Sequence, residues 1–152
     1  MSLPSYAVSV TQTPTPPDYD EASFDQDAIG KDLLFTSDLQ LGSHGDYLLI
    51  GGRDRVRQRL LLRLVIAPGE YKLRTSFGVG VPNYLRRPMS ESELAALERQ
   101  IREQLSAEPL IERLNAVRVA KVTRNGVPGI QVHVVVRAIG TERNYGFLFQ
   151  ER

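Results

Sequence analysis

Cysteine and tryptophan are both absent, and histidine occurs only as His44 and His133. Without cysteine there is no disulfide, no thiolate nucleophile and no thiolate zinc site. Two histidines in separate segments leave little for a metal site, and no cofactor is expected. Long apolar runs are missing too: none approaches the roughly 20 residues that cross a bilayer, so no membrane partner is expected. The N-terminus lacks a basic stretch followed by an apolar one and does not read as a signal peptide. A chain of this kind is expected to be made and assembled in a reducing cytoplasm. Basic charge is absent from residues 1–29, which hold five acids and no Lys or Arg and so carry −5. The overall net charge of +1 leaves +6 for residues 30–152.

What is present is ordinary globular material. The 152 residues are 41% hydrophobic and 24% charged, enough for one domain with a real core and too few for two. The division expected is an extended, acidic, proline-rich arm over 1–29 and a folded domain over 30–152. The arm holds Pro4, Pro14, Pro16 and Pro17, and the last three rule out a regular helix across Thr11–Asp20. Tyr6, Tyr19 and Phe24 are available as anchors if the arm orders against a neighbour, and a disordered tail is the equal alternative.

Short strands are predicted around Leu33–Phe35, Leu39–Leu41 and Tyr47–Ile50, separated by turn-forming residues. A helix is predicted over Asp54–Ile66, with Asp54 as its N-cap and Val56, Leu60, Leu61, Leu64 and Val65 as its apolar face, ended by Pro68-Gly69. Glu70–Leu85 reads as an irregular loop. Ser90 and Glu93 form a capping box for a second helix lined by Leu94, Leu97, Ile101 and Leu105. A short helical turn is expected from Ala107-Glu108-Pro109 through Leu114, because proline suits a first helical position. Three strands follow, Ala116–Val122, Ile130–Ala138 and Tyr145–Gln150. Asn125-Gly126 signals a hairpin, with Pro128-Gly129 expected to lengthen its loop. The fold class is therefore α+β: two to three helices and a C-terminal antiparallel meander.

Few residues suggest chemistry. Glu108 and Glu112 are spaced to share a helix face, yet glycoside hydrolysis needs two carboxylates across a cleft; a salt-bridge network with Arg102 and Arg113 is the better reading. Glu70 is a lone carboxylate suited to accepting backbone amides. His44 and His133 have no Ser–Asp company for a triad. Gly78-Val79-Gly80 lacks the lysine and the strand–turn–helix setting of a phosphate loop. The strongest electrostatic feature is Arg53, Arg55, Arg57, Arg59 and Arg63. On a helix Arg55, Arg59 and Arg63 share one stripe, which Arg87 and its neighbour Arg86 could extend. The readings open for it are an acidic protein partner, a solvated face or nucleic acid, and nucleic acid is disfavoured because stacking aromatics are missing.

Several landmarks fall in a recognisable order: Gly30-Lys31-Asp32-Leu33, a Gly-flanked helix start carrying Gln58, Pro68-Gly69-Glu70, Phe77-Gly78, a helix of about four turns, Glu108-Pro109, and a β-meander. No one of them is specific. As an ordered set over residues 30–152 they resemble the GPW-type baseplate wedge and sheath initiator family of contractile phage tails. The resemblance implies a structural virion protein, not an enzyme, whose partners are the tail sheath protein, baseplate wedge proteins and tail tube proteins. It further implies a ring of six copies in the baseplate. Where the family pattern reads Glu-Pro-Arg, this chain has Glu108-Pro109-Leu110, with Arg113 three residues on. The interaction residues expected on this basis are Glu108, Pro109, Arg113, Tyr145, Phe147, Phe149, Arg55 and Arg59. A peptidoglycan-degrading baseplate lysozyme and a nucleic-acid-binding module on the Arg53–Arg63 stripe are the rival readings.

Overall fold

A computed structural model describes residues 29–35, 38–85 and 87–151. The expectations for residues 1–28, including the anchors Tyr6, Tyr19 and Phe24, and for Arg86 lie outside them. Ile29 is fully buried in the core.

The described chain starts with β1 (Lys31–Leu33), which pairs antiparallel with β2 (Leu49–Gly51). Isolated bridges Phe35–Leu39 and Leu41–Tyr47 continue this small unit through the segment between the two strands. Helix α1 (Gly52–Val65) follows directly. Its N-cap is Gly51, and Asp54 lies inside the first turn, where its charge meets the positive end of the helix dipole. Asp54 as N-cap is thus corrected: the helix begins at Gly51-Gly52.

Residues 66–80 are irregular, as their glycine and proline content predicts, and Val81–Tyr84 make one 3-10 turn. In the same stretch the Glu70 carboxylate accepts the Ala67 N–H at 2.9 Å. Helix α2 (Glu91–Ser106) starts with the predicted capping box: Ser90 Oγ accepts the Glu93 N–H, and the Glu93 carboxylate accepts the Ser90 N–H. The Ser90 N–H, followed by the Ser90 hydroxyl, holds the Glu93 carboxyl below its usual range.

The chain then turns into β3 (Ile111–Arg124), β4 (Val127–Ala138) and β5 (Tyr145–Glu151), an antiparallel sheet in the order β3-β4-β5. Two expectations are overturned here. Residues 107–114 form no helix beyond a tight turn: the Glu108 N–H donates to Leu105 O, the Ile111 N–H to Glu108 O, and from Ile111 the backbone is already paired with β4. Cross-strand pairing with a 12-residue partner outweighs the local helical signal of a proline after two helix formers. The β3–β4 loop is also short. Arg124 pairs with Val127, leaving Asn125 (φ 53°) and Gly126 (φ 77°) as a two-residue turn with both φ angles positive. Pro128 lies within β4, opposite Thr123 at the hairpin end, where a missing N–H is tolerated.

The core lies between the helices and the sheet. Leu97, Ile101 and Leu105 of α2 join Val117 of β3, Val132, Val134 and Val136 of β4, and Val56, Leu60 and Leu64 of α1. Lys121, whose stem crosses the same sheet face, donates to the Met89 carbonyl just before α2.

Candidate assembly interface

The C-terminal strand is built from an alternating sequence. Tyr145, Phe147 and Phe149 are all buried, Tyr145 to 1% exposure, whereas Gly146 and Leu148 on the other face are half-buried. The rings of Phe147 and Phe149 stack at 6.3 Å, and the Arg53 guanidinium at the start of α1 lies 5.4 Å above the Phe147 ring. β5 pairs with β4 along one side from Val136–Tyr145 to Ile130–Glu151. Its other side has no paired strand among the described residues. A strand whose side chains are already seated can keep its position while its outer N–H and C=O groups accept another chain.

The second feature is a buried charge cluster. Glu108 is 1% exposed, and its carboxylate accepts Arg63 Nε at 2.7 Å and Arg59 Nε at 3.3 Å. Arg63 also donates through Nη2 to Ala107 O (3.1 Å) and through Nη1 to Gln104 Oε1 (3.4 Å), and its guanidinium lies 4.7 Å over the Phe77 ring. Gln104 completes the set by accepting the Gly78 N–H and donating to Ser76 O. Glu108, Arg63 and Gln104 together therefore hold α1, the 76–78 segment, the end of α2 and the entry to β3. Gly78 makes this possible: its φ is +93°, and a Cβ there would lie 2.0 Å from Ile66 O.

The arginine stripe is largely used within the chain. Arg55 faces Asp32 at 3.7 Å, and Arg59 and Arg63 share Glu108. Arg57 has no ion pair among the described residues, and partial burial lowers its pKa from the ordinary value. Glu112 points elsewhere: it pairs with Arg137 at 3.1 Å, so Glu108 and Glu112 do not share a face and form no network with Arg102 and Arg113. Arg102 instead pairs with Glu98. Pro109 and Arg113 are exposed, Arg113 on β3 opposite Arg137, and Leu110 is buried in the core. Arg113 is thus no turn-later substitute for an arginine at position 110, because a strand separates them. His133 is half-buried on β4, opposite Leu148. Among the described residues no group of three or more His, Asp or Glu could hold a metal ion, and no helix is long and apolar enough to cross a membrane.

Gln58, one of the sequence landmarks, has a structural role that the sequence did not disclose. Its side chain accepts the Phe35 N–H at 3.0 Å and donates to Leu33 O at 2.9 Å, fastening β1 to α1. The Arg63–Glu108 contact, 45 residues apart, was not predicted. One signal for it exists: position 63 lies on the same helix face as Val56, Leu60 and Leu64, and an arginine on a buried face requires a buried acid.

The family model for the contractile injection system sheath initiator matches residues 24–137, three quarters of the chain. The chain belongs to that family. It is accordingly a structural component of a contractile tail baseplate. Comparison with curated protein sequences found no match. Among solved structures the fold is similar to that of a candidate tail lysozyme from Geobacter sulfurreducens, with a TM-score of 0.53 and 20% identity. That match covers 64% of this chain and 86% of the other. An α+β sheath initiator domain with a C-terminal meander is the architecture expected from the sequence.

Proposed function

We propose that this sheath initiator starts sheath polymerisation by offering the outer edge of β5 to an extended segment of the tail sheath protein, which adds as a fourth strand. The observation that carries this reading is the combination in β5 of three buried aromatics and an outer edge on which no strand of the described residues is paired. Tyr145, Phe147 and Phe149 hold the template rigid, so the added strand loses entropy while the template loses little. Exposed Pro109 and Arg113 are offered to baseplate wedge and tail tube proteins. Glu108, Arg55 and Arg59 serve that surface indirectly by fixing α1 and the turn that presents Pro109. Six copies in a ring around the tube, assembled in the host cytoplasm, complete the reading.

Catalysis does not suit these residues. The enclosed Glu108 carboxylate is occupied by two guanidinium groups and cannot reach a sugar, and Glu112 is exposed and paired with Arg137. Purified protein is expected to leave a peptidoglycan suspension turbid. The stripe reading for nucleic acid loses its basis, since Arg55, Arg59 and Arg63 are engaged with the chain's own acids.

The edge is tested with Leu148→Lys, which leaves the buried aromatics untouched and places on the strand the charge that blunts exposed edges. Particles from a host carrying this allele are expected to show baseplates and tubes without sheath by electron microscopy, while the purified variant keeps its circular dichroism. Sheathed tails at normal yield would sink the strand-addition mechanism.

A further inference from the structure

The three-stranded sheet has two outer edges, and they are finished differently. Among the described residues neither β3 nor β5 has a paired strand on its outer side. β5 runs against β4 without a register shift, and its one charged residue is the terminal Glu151. β3 carries five charged residues, Glu112, Arg113, Arg118, Lys121 and Arg124. It also has two register shifts, between Ile111 and Arg113 and between Leu114 and Ala116. Charge and bulges both keep the edges of natural sheets from pairing.

From Ala116 to Arg124 the register of β3 is regular, so bulges give that stretch no protection. A helix side chain serves there instead. Glu98 of α2 accepts the Val119 N–H through Oε2 at 3.3 Å. In an antiparallel pair the N–H and C=O of alternate residues point away from the partner, and an added strand must place a carbonyl on each such N–H. At Val119 the Glu98 carboxylate already holds that place. Its other oxygen, Oε1, lies 3.8 Å from Arg118 of β3 and 4.0 Å from Arg102 of α2, so both elements orient the side chain. Two residues on, Lys121 donates to the Met89 carbonyl and ties the approach to α2 to the same stretch of β3. Nothing comparable lies on β5, whose aromatics point into the core.

We infer that Glu98 determines which edge of the sheet accepts a strand: it closes β3 and leaves β5 as the edge for addition. The closure of β3 is read from α2 and β3 alone. Its use, directing a sheath segment to β5, rests on the strand-addition reading given above. A sheet open on both edges can pass pairing from copy to copy, whereas one with a single open edge takes one added strand and stops. For a protein that must begin a polymer of another subunit, and not one of itself, that asymmetry supplies the specificity.

The test uses the full chain with a photo-crosslinking amino acid in place of exposed Ala120 on β3 or, separately, of Leu148 on β5. Each is combined with Glu98, Glu98→Ala or Glu98→Gln; glutamine loses the charge but keeps an oxygen for the Val119 N–H. In concentrated purified protein, Glu98→Ala should raise the yield of crosslinked chain pairs from position 120 by about tenfold, and the Val119 amide should exchange with solvent faster by a similar factor. Glu98→Gln should restore both, with the same circular dichroism in all three. In assembled tails, sheath protein should be captured from position 148 and, with Glu98 in place, not from position 120. Sheath captured from position 120 in the presence of Glu98 would overturn the inference. So would Glu98→Ala without a gain of pairs from position 120, or Glu98→Gln behaving as Glu98→Ala. No sheath capture from position 148, with the results at position 120 as expected, would defeat strand addition at β5 and uphold the closure of β3.

Discussion

The two ends of α1 handle their surroundings in opposite ways. At its C-terminal end Arg63 and Glu108 are buried together, every partner is supplied from within the chain, and a glycine clears the space. At its N-terminal end the β1–β2 unit is fastened by Gln58 and by one ion pair at 3.7 Å, and its leucines face outward. The first arrangement fixes the fold. The second contributes little to the core and leaves its apolar side chains exposed. Exposed apolar area and core burial thus belong to different residues of one small domain.

Glu108→Ala should test this contrast with the largest effect. Arg63 would remain buried without its acid, and unfolding in denaturant should show a loss of about 3–5 kcal/mol. Gly78→Ala should come next, at about 2–3 kcal/mol, because the new Cβ meets Ile66 O and the backbone sits at a positive φ. Ser90→Ala removes the N-cap of α2 and should cost about 1 kcal/mol at neutral pH. The Glu93 half of that capping box is pH-dependent. Its folded pKa is lowered, so its contribution is present above the unfolded carboxylate value and fades as pH falls through the folded one. The Ser90→Ala difference measured by thermal unfolding should therefore shrink in acid. Smallest of all, Leu41→Ser should change stability by less than about 0.5 kcal/mol, since the side chain is already in water. A large loss there would mean that the β1–β2 unit supports the core and would erase the distinction between the two ends.

The sequence made the parts governed by short-range patterns readable. Ser90 and Glu93 announced α2 because both halves of a capping box lie within one turn. Tyr145, Phe147 and Phe149 announced an inward-facing strand because alternation is visible in six residues. Asn125-Gly126 announced the hairpin, and only the weight given to Pro128 made its loop too long. Glu108 was misread for the opposite reason. Its spacing to Glu112 was measured on a helix that does not form, whereas its partners Arg59 and Arg63 come from a helix almost 50 residues earlier. The start of β3 at Ile111 was hidden likewise, since its pairing with Ala138 depends on a strand not yet reached in the chain. Local chemistry was legible, and contacts settled by tertiary packing were not.

The two-residue turn at Asn125-Gly126 also sets an order of events in time. A hairpin closed by so short a loop forms on the order of microseconds, from neighbours in sequence. β3 and β4 can therefore meet first, and for that interval the valine-rich side of β4 is itself an open edge. β5 then closes it by pairing along β4. A folding chain that lingers before that step carries a stickier edge than the finished one. Rapid docking of Tyr145, Phe147 and Phe149 consequently shortens the interval in which that edge can pair with the wrong strand.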